Sequence, residues 1–360
     1  MQKFQCNTRI YAGRGALSVL KELVNGKLLI VTDPYFMKNG TAKHLAELSG
    51  ADKVQYFDAV QPDPQVTLAA QGAAAVQAFN PDTILALGGG SAMDCAKAMA
   101  YFSGSTAQLI AVPTTSGSGS EVTDFAILTH DGVKHPLVDD KLKPQAAILD
   151  ADLLDGLPKG LIADTGFDVL SHALEACAAT GAGAITDGLA QGAFCTVMEH
   201  LEASYFGDRS VRQRLHEASC MAGMAFSQAG LGLCHALAHS LGGLYHLPHG
   251  RINAILLPAV IEFNASAAGQ KYAQMARLAG LGGASDTMAV RSLRNALIRL
   301  RRSLGLPATL QEAGVQSSKL AADMGDICKA ALKDACIATN PAPVTEKDIC
   351  GILHQVSGRG

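Results

Sequence analysis

The chain has 360 residues, of which 48% are hydrophobic and 17% charged, with a formal net charge of −3. This length exceeds what one hydrophobic core usually supports, so we expect two domains. The slightly acidic balance argues against nucleic acid and anionic membranes as partners, because both attract basic surfaces. No apolar run approaches the roughly 20 residues that span a bilayer, and residues 1–15 lack the pattern of an export signal.

Nine cysteines lie singly along the chain, without any C-x-x-C pair. An odd and scattered set is typical of reduced thiols rather than of a disulfide framework. We therefore expect a cytoplasmic protein in which most cysteines are small buried hydrophobic residues.

The first part of the chain alternates short apolar runs with alanine-rich helical stretches. Strands are predicted at 28–32 (LLIVT), 83–87 (TILAL), 109–112 (LIAV) and 146–150 (AAILD), and helices at 65–79 and 92–101. Such alternation predicts an α/β domain with a parallel sheet covered by helices on both faces.

The composition changes after Leu157-Pro158, near a predicted boundary that divides the chain into residues 1–156 and 157–360. From Ile162 onwards Ala, Leu, Met, Arg and Glu recur at helical spacing, and helices are predicted at 187–201, 211–225 and 287–304. We therefore predict that the second domain is all helical. A cleft between two such domains is a common place for a ligand.

Two loops in the first domain have the composition of a phosphate site. Residues 84–97 (ILALGGGSAMDCAK) place three glycines between a strand and a helix, and residues 113–121 (PTTSGSGSE) follow the next strand. Glycine lets a backbone approach a ligand closely, and a helix N-terminus offers unpaired N–H groups to a phosphate. A lone glycine triplet is a structural turn about as often as it is part of a ligand site. Two such loops at neighbouring strand ends favour a nucleotide site.

Asp33 ends an earlier predicted strand, directly before Pro34. An acid in this position of a dinucleotide-binding fold can accept hydrogen bonds from the adenine ribose and repel a 2′-phosphate. An aspartate before a proline is equally typical of a helix N-cap or a turn. Position alone leaves both interpretations open.

The second domain carries a cluster of potential metal ligands. Asp168 and His172 have the i, i+4 spacing that puts two side chains on one helix face, and His235 and His239 repeat it before His249. One carboxylate with several imidazoles favours Fe(II) or Zn(II) over Mg or Ca, which prefer oxygen ligands. The spacing also admits a metallohydrolase, although no glutamate lies between His235 and His239 as in the zincins.

These segments resemble the iron-containing (group III) alcohol dehydrogenases over essentially the whole chain. The matching segments are GGGSAMDCAK (88–97), PTTSGSGSEVT (113–123), the pair Asp168 and His172, and CHALAHSLGGLYHLPHG (234–250). Within the family the chain is most similar to the 1-propanol dehydrogenases of propanediol-type bacterial microcompartments, through AGMAFSQAGLG (222–232). The resemblance implies a dehydroquinate-synthase-like fold, with an α/β dinucleotide-binding domain followed by an all-helical, metal-binding catalytic domain.

The resemblance also implies two cofactors, NAD(H) and Fe²⁺, with Zn²⁺ in some members, and a set of site residues. The implied metal ligands are Asp168, His172, His235 and His249. The implied cofactor contacts are Asp33, Gly89, Gly90, Ser91, Asp94, Thr114, Thr115, Ser118 and Lys134, and the implied substrate pocket holds Phe125, Phe226 and Cys336. His239 matches a histidine beside the metal, which either relays a proton or supports the ligand shell.

The implied activity is the interconversion of short aldehydes, such as propanal or ethanal, and primary alcohols, chiefly in the aldehyde-reducing direction. Phe125 stands where some members have asparagine, which favours an apolar substrate over a diol. A zinc-dependent, glycerol-type polyol dehydrogenase of the same fold is the alternative enzyme, and a non-enzymatic shell protein conflicts with the complete ligand set. A homodimer or larger homo-oligomer, inside a microcompartment and in contact with its proteins, is a further expectation.

Overall fold

The computed structural model describes residues 4–131 and 133–358. The chain divides into two compact units, Gln5–Leu157 and the part that begins at Pro158. This division lies one residue from the boundary predicted between residues 156 and 157.

The N-terminal unit combines a parallel sheet with helices. Its strands are β1 (Arg9–Ala12), β2 (Lys27–Val31), β3 (Lys53–Phe57), β4 (Thr83–Gly88), β5 (Gln108–Pro113), β6 (Phe125–His130), β7 (Val133–Val138) and β8 (Ala146–Leu149). Its helices are α1 (Leu20–Leu23), α2 (Pro34–Lys38), α3 (Thr41–Ser49), α4 (Val66–Phe79) and α5 (Gly90–Ser103). Six strands form one parallel sheet in the order β1-β8-β5-β4-β2-β3, and β6 pairs with β7 in a separate antiparallel hairpin.

Helices cover both faces of this sheet. Leu28 and Ile30 of β2 belong to a hydrophobic cluster that includes residues of α1 and α3. Leu29 and Val31 belong to a second cluster that includes residues of α4 and α5. Successive side chains of a strand point to opposite faces, so β2 contributes to both cores. The predicted parallel sheet with two covered faces is confirmed.

The C-terminal unit is helical, and no strand follows β8 in the part of the chain that the structure describes. Its helices are α6 (Lys159–Ala178), α7 (Ala184–Phe206), α8 (Arg212–Ala229), α9 (Leu233–Tyr245), α10 (His249–Leu278), α11 (Asp286–Ser303), α12 (Ser317–Lys333) and α13 (Glu346–Val356). The helix α6 is buried along most of its length and packs against α7, α8 and α10. The predicted all-helical second domain is confirmed.

The helix α10 is long and apolar enough to cross a membrane by length and composition alone. Within its most apolar window, however, 67% is buried inside the protein. A central helix of a folded domain has this property, because its apolar side chains pack against neighbouring helices.

The start of α10 lies against the middle of α6. A Cβ atom on Gly250 would lie 1.9 Å from the carbonyl oxygen of Asp164, so this contact requires glycine. Arg251 then forms a two-pronged ion pair with Asp164, with N···O distances of 3.1 and 3.0 Å. The contact brings His249, the first residue of α10, to the polar face of α6.

Candidate active site

The polar face of α6 carries Asp168, His172 and Glu175, which lie four and three residues apart and therefore share one side of the helix. The helices α9 and α10 add His235 and His249. The Nε2 atoms of His172, His235 and His249 lie 3.9, 3.8 and 3.5 Å from the Oδ1 atom of Asp168. The structure thus brings together all four residues implied as metal ligands.

This arrangement fits a divalent metal. Two ligands about 2.1 Å from a tetrahedral metal lie about 3.4 Å apart, close to the measured separations from Asp168. The rings of His172 and His235 stack with centroids 4.6 Å apart, and both residues are buried. Burial of several imidazoles beside a carboxylate is costly without a cation, and a donor set of three nitrogens and one oxygen suits Fe(II) or Zn(II).

The electrostatics of the cluster lead to the same conclusion. Burial disfavours the Asp168 carboxylate, but the nearby His172 and His249 hold its pKa well below the usual value. Burial also favours neutral His235, yet Glu175 and Asp168 raise the pKa of its imidazole overall. The carboxylates therefore attract positive charge, which a divalent cation supplies when it displaces the proton.

Glu175 orients His235, a role that the sequence did not reveal. Its Oε2 atom lies 2.5 Å from His235 Nδ1, and its Oε1 atom accepts the backbone N–H of Cys234 at 2.7 Å. A carboxylate on Nδ1 fixes the tautomer that presents the lone pair of Nε2 to a metal. The only sign of this role in the sequence is that Glu175 follows His172 by one helical turn. Its partner His235 lies about sixty residues away in the chain, so no local pattern connects the two.

Asn253 is a second functional residue that sequence reasoning missed. It is fully buried, and its Nδ2 group donates to Asp168 Oδ1 at 2.9 Å. Its Oδ1 atom accepts a weak hydrogen bond from the Cys234 thiol at 3.5 Å. Asn253 therefore holds the Asp168 carboxylate in place from the α10 side.

His239 lies one turn beyond His235 but makes different contacts. Its Nδ1 atom is 2.8 Å from Asp334 Oδ2, and its ring stacks on that of His249 with centroids 5.3 Å apart. Burial opposes ionisation of Asp334, but the hydrogen bond from His239 lowers the carboxyl pKa to about 2. With Nδ1–H donated to Asp334, the Nε2 atom of neutral His239 is an acceptor. This geometry allows either of the two roles predicted for His239.

Two of the three predicted pocket residues lie at the metal cluster. The ring of Phe226 stacks on His172 with centroids 4.3 Å apart and an interplanar angle of 25°. The N–H of Cys336 donates to Asp334 Oδ1 at 2.8 Å, which places Cys336 beside the His239 pair. Phe125 belongs to the N-terminal unit, and its place in the pocket stays a prediction.

The two predicted phosphate loops touch each other at the carboxyl ends of β4 and β5. Gly90 begins α5, and a Cβ atom there would lie 3.2 Å from the Cβ of Ser118. A Cβ atom on Gly89 would lie 3.3 Å from Thr115 Oγ1, and the N–H of Thr114 donates to the carbonyl of Gly88, at the end of β4, at 2.9 Å. Ser91 lies in the first turn of α5, where free N–H groups bind anions.

The charged residues predicted to contact the cofactor also have structural partners. Asp33 is the N-cap of α2, where its Oδ1 atom accepts two backbone N–H groups. Asp94 is buried and accepts the Ser120 hydroxyl at 3.0 Å, and Lys134 pairs with Asp63 at 2.7 Å. The two bonds from Asp33 to the start of α2 confirm that it caps this helix. The cofactor contacts of Asp33, Asp94 and Lys134 stay predictions.

Lys97 connects the second loop to α5, a role not predicted. The fully buried ammonium group donates to the carbonyl and the hydroxyl of Thr123 and to the carbonyl of Phe125, each at 2.9 Å. Burial lowers the pKa of Lys97 to about 8. Lys97 therefore fixes the chain that follows the second loop.

Comparison with known proteins agrees with this geometry. Residues 7–151 match the family "Iron-containing alcohol dehydrogenase", and residues 162–357 match "Fe-containing alcohol dehydrogenase family, C-terminal". The chain is 39% identical to 1-propanol dehydrogenase PduQ of Salmonella typhimurium, over 99% of this chain and 100% of that protein. It is 37% identical to the NADPH-dependent butanol dehydrogenase of Clostridium saccharobutylicum, over 99% of this chain and 98% of that protein.

A solved structure shows the same fold. The sulfoacetaldehyde reductase from Bifidobacterium kashiwanohense, in complex with NAD⁺, matches with a TM-score of 0.89 at 25% identity, over 100% of both chains. Both halves of this chain match one family, and the relatives cover nearly all of it. The chain therefore belongs to the iron-containing alcohol dehydrogenase family and is an alcohol dehydrogenase.

Proposed function

We propose that this alcohol dehydrogenase uses NAD(H) and Fe²⁺ to interconvert short-chain aldehydes and primary alcohols, chiefly in the aldehyde-reducing direction. The observation that carries the proposal is the convergence of three imidazole Nε2 atoms on Asp168 Oδ1, beside the apolar ring of Phe226. The 1-propanol and butanol dehydrogenases among its relatives support the same substrate class.

The metal ligands in this proposal are Asp168, His172, His235 and His249. A bound metal would polarise the substrate oxygen as a Lewis acid, and a nicotinamide would donate or accept the hydride. Asp168, held by Asn253, and His235, held by Glu175, keep their donor atoms aimed at one point. Such support keeps the ligand shell in place without rearrangement during the reaction.

His239 is the proposed proton carrier. Asp334 holds its Nδ1–H, so that a proton taken up at Nε2 gives an imidazolium that the carboxylate stabilises. During aldehyde reduction, His239 would pass this proton towards the oxygen of the product alcohol. Support of the ligand shell through the stacking with His249 is the alternative role.

The loops after β4 and β5 are the proposed site for the NAD diphosphate. The N-terminus of α5, from Gly90 and Ser91, offers N–H groups to an anion, and Thr115 and Ser118 lie against it with their hydroxyl groups. The carboxylate of Asp33 would repel a 2′-phosphate, which favours NAD over NADP. One relative is named as NADPH-dependent, so this preference needs a direct test.

The apolar ring of Phe226, stacked on His172, supports the substrate class. Each well-buried methylene is worth about 0.8 kcal/mol, so a small apolar pocket gains from a two- or three-carbon chain and loses when it must bury extra hydroxyl groups. The zinc-dependent polyol dehydrogenase is therefore the less favoured alternative. We also propose a homo-oligomer that works in the cytoplasm inside a microcompartment, which is what the resemblance of residues 222–232 to microcompartment 1-propanol dehydrogenases implies.

Steady-state kinetics with matched substrates test the substrate class. NADH oxidation would be measured with ethanal, propanal and butanal, and NAD⁺ reduction with 1-propanol, glycerol and 1,2-propanediol. We expect kcat/KM to favour propanal or ethanal, with only a few-fold change for each carbon until the pocket is full. Faster turnover of glycerol or 1,2-propanediol than of 1-propanol would support the polyol alternative instead.

A further inference from the structure

A second group of potential ligands lies beside the first cluster. One donor atom each of His239, Asp334 and Cys336 lies within 4.8 Å of the other two. All three residues are partly exposed, so that an ion from solvent can reach them. We propose that His239, Asp334 and Cys336 form a second cation site that takes zinc(II) or another divalent ion with affinity for thiolates.

Two hydrogen bonds hold these groups together. The Asp334 carboxylate contacts His239 Nδ1 through Oδ2 at 2.8 Å and the Cys336 N–H through Oδ1 at 2.8 Å. In a tetrahedral zinc site the nitrogen and sulfur ligands lie about 3.6 Å apart. Since the donor atoms lie at most 4.8 Å apart, the Cys336 thiol has to approach by no more than about one ångström, which a rotation of its side chain supplies.

The donor atoms of the second site differ from those of the first cluster. The first cluster offers one oxygen and three nitrogens, whereas the second site includes a thiol, the donor that zinc(II) and copper(I) prefer. Zinc binding would release the thiol proton of Cys336 to solvent, while the proton of neutral His239 would move from Nδ1 to Nε2. The thiolate and the Asp334 carboxylate then balance the two positive charges of the ion.

A consequence for activity follows, and it rests on the proton-carrier role proposed for His239. An imidazole bound to zinc through Nδ1 already carries its one proton on Nε2, so Nε2 cannot take up the proton that His239 would pass to the product. Zinc at the second site would therefore inhibit an enzyme whose first site already holds iron.

Cobalt(II) distinguishes the two sites spectroscopically. Metal-stripped protein would be titrated with Co²⁺ without oxygen. A thiolate ligand produces an intense sulfur-to-cobalt charge-transfer band in the near ultraviolet, which ligands of the first cluster cannot produce. We expect the first equivalent to give only weak visible bands and the second equivalent to add the charge-transfer band.

Serine variants assign that band to one thiol. Cys336→Ser should abolish it and keep the spectrum of the first equivalent. A matched control replaces both Cys328 and Cys350, whose sulfur atoms lie 3.3 Å apart, by serine, and it should retain the band. No band with excess Co²⁺, a band that survives Cys336→Ser, or a band lost in the control would each overturn the second site.

Zinc inhibition of the iron-loaded enzyme tests the consequence. The zinc concentration for half-inhibition should rise at least about tenfold in Cys336→Ser, because one of three protein ligands is missing. Equal inhibition of both proteins would mean that zinc acts elsewhere, which contradicts the proposal. A cobalt band at Cys336 without zinc inhibition would support the site and refute the proton-carrier role of His239.

Discussion

At the scale of single residues, two histidines one turn apart on α9 have different carboxylate partners. His235 is held by Glu175 and aims Nε2 at Asp168, whereas His239 is held by Asp334. We expect His235→Ala to lose metal and activity together. His239→Ala should keep nearly stoichiometric metal while kcat falls by about 10²–10⁴, the usual scale of general acid–base catalysis.

Metal analysis and kinetics of both variants check this expectation. A kcat loss below about tenfold in His239→Ala would favour its supporting role. If His239→Ala were free of metal and His235→Ala were not, the two assignments would have to be exchanged.

Glu175 allows a test of tautomer control. In Glu175→Gln the new Oε1 can still accept the Cys234 N–H, but the new amide N–H₂ faces His235 Nδ1. It would donate to Nδ1 and force the proton of His235 onto Nε2, the atom that should bind metal. We expect metal affinity to fall about 10–100-fold, measured by competition with a chelator, with unchanged far-ultraviolet circular dichroism.

The control for this variant is the same replacement at an exposed position, Glu199→Gln, on α7. It should leave metal affinity unaltered. Native metal affinity in Glu175→Gln would show that the carboxylate does not orient the ligand.

Asp33 has a structural and a proposed functional role, which one substitution separates. Asn is as good an N-cap as Asp, so Asp33→Asn should keep α2 and the thermal stability of the protein. It removes the charge that would repel a 2′-phosphate, so the preference for NADH over NADPH should narrow through a lower KM for NADPH. An unmodified enzyme that uses both cofactors equally well would contradict the assignment.

At the scale of elements, the close approach of α10 to α6 determines where His249 lies. Gly250→Ala would place a methyl group against the backbone of Asp164. We expect a loss of about 1–3 kcal/mol in stability from overpacking, measured by denaturant unfolding, together with weaker metal binding as His249 moves away from Asp168. Gly269→Ala in the same helix meets no neighbour within 4 Å and should be neutral or slightly stabilising. Equal effects of the two substitutions would argue against the close contact.

The elements that the sequence predicts well are those buried on all sides. The strands β2, β4, β5 and β8 are almost completely buried and therefore appear as continuous apolar runs. The sequence did not predict β1 and β3, which lie at the two edges of the sheet and mix polar with apolar residues because they are only partly buried. The hairpin of β6 and β7 was also not predicted, since it pairs outside the main sheet.

At the scale of the whole molecule, the ligand set was visible because it depends on short spacings within helices. Asp168 and His172 are one turn apart, and the remaining ligands come from one segment between residues 235 and 249. The supporting residues were not visible, because Glu175 and Asp334 reach their histidines from 60 and 95 residues away. Such pairs follow from helix packing, which no local pattern in the sequence encodes.

The measurement that tests the central claim most directly is an iron titration. Metal-stripped protein would be given increasing Fe²⁺ without oxygen, and propanal-dependent NADH oxidation would be recorded at each step. We predict that activity rises in proportion to bound iron and reaches its plateau at one iron per chain. Activity that is present without metal, or NADH oxidation that does not depend on propanal, would contradict the account.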